Sequence, residues 1–168
     1  MNRWCALLAV VTFGLAGCAG VPVEKYRAEK PVLDLRTYFN GTIDAWGMFQ
    51  NRSGEVVKRF TVVIDAHWEG DVGTLDERFS WSDGTITRQA DGRYLGRADD
   101  VVGEAVGEAA GNALRWQYVL ALPVDGKIYN VDFDDWMFLI DDKVMLNRSL
   151  MSKWGFHLGE VSLSFTRR

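Results

Sequence analysis

From Phe39 onward the chain repeats with a period of two, and this constrains its fold more than any other feature. Val56, Phe60, Val62, Ile64, Ala66 and Trp68 alternate with Val57, Arg59, Thr61, Val63, Asp65 and His67. One set is apolar and the other mostly polar. Successive side chains on an extended strand point to opposite faces, so the pattern predicts a strand with one face on a core and one in water. Comparable alternation runs through Ile43–Phe49, Leu75–Trp81, Leu114–Leu122, Ile128–Ile140, Val144–Leu150 and Val161–Thr166. Between these runs stand turn formers: Asn51–Gly54, Gly70-Asp71, Asp83-Gly84, Asp91-Gly92, Asp125-Gly126 and Asp141-Asp142. Asp-Gly dipeptides supply the positive φ angles that two-residue hairpins require. The spacing predicts an all-β domain, an antiparallel up-and-down barrel of roughly nine strands, over residues 37–168. Ser152–Gly159 reads as a loop between the last two strands.

Two stretches interrupt the pattern. Gly103, Gly107 and Gly111 recur every four residues in Asp99–Asn112. Each would cost about 1 kcal/mol in a helix, so the stretch reads as a glycine-rich strand ending in a turn at Gly111-Asn112. The three glycines would share a face, leaving it bare for a tight barrel corner or for a ligand against the backbone. Residues 18–36 hold Pro22 and Pro31, two of the chain's three prolines. They read as a tether and lead-in, with order returning near Leu33-Asp34-Leu35 as a short helix or turn.

The N-terminus has a different grammar. Arg3 precedes an apolar run from Trp4 to Gly17 interrupted only by Thr12. That run is shorter than the ~20 residues needed to span a bilayer and has the layout of a secretory signal peptide over 1–17. Leu15-Ala16-Gly17-Cys18 resembles the lipobox of bacterial lipoproteins. The resemblance implies cleavage before Cys18, acylation of its thiol, and, with Ala19 rather than Asp following, sorting to the outer membrane with the domain facing the periplasm. The expected partner is therefore a membrane, reached through an N-terminal lipid anchor.

Only two cysteines exist, Cys5 and Cys18. One leaves with the signal and the other carries lipid, so disulfides, Cys-zinc sites and Cys nucleophiles are excluded from the domain. The chain has 19 basic and 23 acidic residues, and loss of Arg3 widens the acidic excess. Such a balance argues against nucleic acid as a partner.

Several blocks resemble one family when taken together: Gly41-Thr42-Ile43-Asp44-Ala45-Trp46-Gly47, Gly107–Leu114, Phe133-Asp134-Asp135-Trp136-Met137, Asn147-Arg148, Met151-Ser152-Lys153 and Leu158-Gly159-Glu160-Val161. The chain is similar over nearly its whole mature length to the DUF3833 family of bacterial lipoproteins, whose function is unknown. The resemblance implies a lipocalin-like barrel and carries over no catalytic residue and no ligand.

The chain has no P-loop, no Rossmann glycine fingerprint, no His-Glu-x-x-His and no Gly-x-Ser-x-Gly. No cofactor is implied. His67 and His157 are the only histidines; with Asp65 or Glu160 they could bind a metal if they met, but two unrelated histidines are the simpler expectation. Asp132 and Asp134 share a strand face with Trp136, and Arg148 on the following strand is the nearest hairpin partner. If that face is interior, the carboxylate needs a partner, either as a structural ion pair or to fix a ligand. Trp46, Trp68, Trp81, Trp116 and Trp136 sit in separate strands, and buried indoles place N–H groups near pockets and rims. The expected ligand-binding set is Trp46, Trp68, Trp116, Asp134, Trp136 and Arg148, with no catalytic residue and no metal ligand. Three readings follow: a carrier for a lipid or other small apolar molecule, an envelope scaffold with a filled barrel, and an enzyme using Asp134 and Arg148 on a lipid-like substrate. An apolar cavity separates the first from the others.

Overall fold

The computed structural model describes residues 20–77 and 84–168. Cys18 and the expected signal peptide before it, with Phe79, Trp81 and Asp83, lie outside the described residues. The alternating segments form ten strands: β1 Gly41–Asn51, β2 Val56–Glu69, β3 Val72–Glu77, β4 Gly84–Arg88, β5 Tyr94–Ala98, β6 Ala105–Ala110, β7 Ala113–Val124, β8 Lys127–Leu139, β9 Val144–Lys153 and β10 Phe156–Arg167. Each pairs antiparallel with its neighbours in sequence, and β1 also pairs with β10, so the sheet closes into an up-and-down barrel. The expected loop after β9 is instead a tight hairpin at Trp154-Gly155, both at positive φ. This lets β9 and β10 run to its edge.

Strand length is uneven round the barrel. The contiguous strands β7, β8, β9, β10, β1 and β2 have 10 to 14 residues, whereas β3 to β6 have five or six. At ~3.3 Å per residue the long strands project well past the short ones.

Inward and outward positions alternate along the strands. Ile43 and Ala45 on β1, Val62 and Ile64 on β2, Leu114 on β7 and Met145 on β9 are buried in one core. The lead-in covers one end of it. Asp34 caps a single helical turn, α1, at Leu35–Tyr38, accepting from the Arg36 backbone N–H at 2.9 Å. Leu35, Tyr38 and Phe39 pack into the core, and the Tyr38 hydroxyl donates to the Lys143 carbonyl at 3.0 Å.

Upstream, the expected tether is docked on the barrel. A 3-10 turn at Val23–Tyr26 buries Val23 against Ala110 and Ala113. Tyr26 packs edge-on against Trp136 and Phe138, and the Leu33 N–H donates to the Gly111 carbonyl. Gly111 is at φ +57 directly beneath the Tyr26 carbonyl, where no Cβ would fit.

The glycine stripe is also different from expectation. Gly103 and Gly111 are turn residues at positive φ, so they share no strand face with Gly107. Gly107 and Gly96 lie under the Trp116 ring, which fills the space their missing side chains leave. The bare face is thus a bed for an indole.

Candidate binding cavity

The long strands do not fill the space between them. A cavity of about 300 Å³ lies toward the end opposite α1. Its apolar wall comes from inward positions: Phe49 on β1, Phe60 on β2, Leu120 and Leu122 on β7, Phe133 on β8 and Val161 on β10. Exposed Lys58 stands at its mouth. A second cavity of about 210 Å³ adjoins it under the short strands, beside Trp116, Ile86 and Arg97. The two share Glu77, Tyr118, Asp135, Met137 and Phe165 as wall.

A polar cluster sits at that shared wall. Asp135 accepts from the Asn147 amide, from the Ser149 hydroxyl and, at 3.5 Å, from the Tyr118 hydroxyl. Asn147 and Ser149 are themselves buried, and Tyr118 stacks on Phe133 with ring centroids 5.0 Å apart. Asp135 is half-buried because the cavities touch it, yet protein surrounds the site. Loss of hydration there pushes its carboxyl up to about 6, with the three hydrogen bonds opposing. Burial, reinforced by the charge of Asp135, holds the Tyr118 phenol well above its ordinary range, so it remains a donor. A perturbed carboxylate with convergent donors in a mostly apolar cavity, with Glu77 as a second carboxylate in the wall, is the usual signature of a binding site.

Of the residues expected to bind ligand, Trp116 alone lines one of these two cavities, the smaller. Trp68 is inward but engaged: its Nε1 donates to the Phe39 carbonyl at 2.8 Å and its ring covers Gly73. Trp46 is on the outer face, half exposed. Asp134 and Trp136 also face outward, since β8 turns Phe133, Asp135 and Met137 inward. Asp134 accepts a bidentate pair from Arg115 at 2.7 and 2.8 Å, and the Arg115 guanidinium lies over Trp136. The expected Asp134–Arg148 pairing does not form. Arg148 bonds Glu160 on β10 instead, because Leu150 rather than Arg148 stands opposite Asp134. His67 and His157 lie near opposite ends of the barrel. No group of three or more His, Cys, Asp or Glu able to hold a metal occurs among the described residues.

Sequence reasoning passed over Asp135, Asn147, Ser149 and Tyr118. One signal pointed to them. On β8 the face of Tyr129, Val131, Phe133, Met137 and Leu139 is apolar except at Asp135. A lone carboxylate on the greasier face marks a polar group that the core must accommodate.

A family model described as a protein of unknown function (DUF3833) matches residues 12–167. No curated protein matches the chain. Among solved structures, the chain is similar to a crystal structure of a protein of unknown function from the DUF3598 family of Nostoc punctiforme. The TM-score is 0.60 at 13% identity, over 89% of this chain and 53% of that one. The chain thus spans about half that protein's length, and the likeness is one of fold.

Proposed function

The chain belongs to the DUF3833 family, and from that premise we propose that it is a carrier for a lipid or other small apolar molecule. The observation that carries this reading is the cavity of about 300 Å³ between the long strands, mostly apolar in its wall, with the Asp135 cluster, Glu77 and Lys58 as its polar groups. Its volume is at the lower end of the range for small-molecule sites. The apolar body of the ligand packs against Phe49, Phe60, Leu120 and Phe133. Its polar group, a hydroxyl or another donor, faces Asp135. The filled-barrel scaffold draws no support from such an interior, and Asp134 and Arg148 offer an enzyme no shared site.

The same proposal places the barrel on the periplasmic side of the outer membrane, held by lipid on Cys18. It rests on the Leu15-Ala16-Gly17-Cys18 pattern. Cys18→Ser should abolish fatty-acid labelling, and normal labelling would refute the anchor.

Native mass spectrometry of the protein purified from its own envelope, followed by lipid extraction, tests the carrier. A co-purifying apolar species is expected, and Leu120→Trp, which fills the cavity, should release it. Absence of any guest, together with no binding of apolar fluorophores, would refute the proposal.

A further inference from the structure

Of the strand connections at the barrel end away from α1, the three carried on long strands are neighbours in the ring, at residues 51–58, 124–130 and 152–158. Their tips expose Val57, Ile128, Tyr129, Trp154, Phe156 and Leu158; Ile128, Trp154 and Phe156 are 71%, 83% and 72% exposed. Isolated exposed apolar residues are ordinary, but a half-ring of them around the mouth of an apolar cavity is not.

Trp154 sharpens the point. It stands at φ +51 ahead of Gly155, a left-handed position where Asn, Asp or Gly is favoured. The equivalent position of the β7–β8 turn holds Asp125. Local turn chemistry therefore argues against a Trp here, and its ring meets the Lys153 ammonium 5.0 Å away. The tips also reverse the sign of the chain's charge. The three segments hold Arg52, Lys58, Lys127 and Lys153 against Glu55 and Asp125, in a chain with an acidic excess.

We propose that these three hairpin tips dock the barrel on an anionic lipid surface, with the apolar side chains in the interfacial layer and the basic ones at headgroup level. Amphipathic aromatics and lysines in this arrangement suit a membrane interface. A second copy of the chain would set like charges against each other. The cavity opens between the tips, so docking would put its mouth against acyl chains. This extends beyond the carrier reading, because it concerns the outer rim and is read separately from guest binding.

Residues 20–168 contain all ten strands and the segment closing the far end, so they serve for the test without a lipid anchor. They should co-float with phosphatidylcholine vesicles containing phosphatidylglycerol and bind vesicles of phosphatidylcholine alone more weakly. Trp154→Asn combined with Phe156→Ser should weaken binding by roughly tenfold or more. Lys127→Glu should weaken binding only to the anionic vesicles. Asn relieves the backbone at 154, so the melting temperature of Trp154→Asn should not fall; Phe156→Ser alone provides an independent variant. No vesicle binding, or binding unchanged by the tip substitutions, would overturn the proposal. So would a dimer in sedimentation that the tip substitutions dissociate without any effect on vesicles. Apolar-fluorophore binding by the tip variants reports the cavity on its own, so failure of either reading is seen separately.

Discussion

The two ends of the barrel both carry apolar side chains and treat them in opposite ways. At one end Leu35, Ile43, Leu114 and Met145 are fully buried, because the lead-in folds back and supplies α1 as a plug. At the other end Ile128, Trp154 and Phe156 stand in solvent. The same strands reach both, β8 running from exposed Ile128 to buried Leu139. The difference lies in what covers the strands. Stability is concentrated where the chain covers itself, and the uncovered end is available for recognition.

The comparison breaks if both ends respond alike to truncation. Leu114→Ala should cost about 2–5 kcal/mol in urea unfolding, whereas Ile128→Ala should stay within about 0.5 kcal/mol; equal losses would erase the distinction. Gly111→Ala probes the plug side next. Left-handed strain and the clash with the Tyr26 carbonyl together should cost about 2–4 kcal/mol and open residues 20–33 to limited proteolysis.

Between the ends, Asp135 adds a pH signature. Its carboxyl binds a proton more readily in the folded chain than in the unfolded one, so its burial cost is fully present only well above pH 6. That cost is relieved as pH falls toward the ordinary carboxylate range. Relative to Asp135→Asn, the wild type should gain up to about 2 kcal/mol between pH 6 and pH 4. A flat difference in urea midpoints across that window would show that the carboxylate is not shielded. The smallest effect belongs to the outer face. Arg148→Ala removes an exposed pair with Glu160 and should cost under about 1 kcal/mol, with unchanged fluorophore binding.

The strands were legible because alternation needs only local sequence. Which face turns inward was less so on β8, where both parities carry aromatics and acids. Reading the parity the other way exchanges every residue between core and surface. Trp136, expected at the ligand, stands with Phe138 on the outer face, where both are covered by Tyr26 from the lead-in, a contact across more than a hundred residues. Proline and mixed charge made that lead-in read as tether, and nothing local announces that Val23 docks beside Gly111. The Trp116 bed on Gly96 and Gly107 was equally invisible, since it joins three strands. The cavity itself is a matter of side chains that do not meet, which no single strand encodes.

The pairing of β1 with β10 has a consequence for how the molecule is made. Ile43 lies opposite Arg167 and Asn51 opposite Gly159, so this last seam joins segments from the two extremes of the domain. Hairpins can zip locally, but the seam must wait for a very long loop to close, which predicts slow folding for a domain of this size. Until then two long rows of unpaired amides and carbonyls are exposed, a template for other chains. A nascent copy that lacks only its final dozen residues would therefore be sticky in a way the finished cylinder is not.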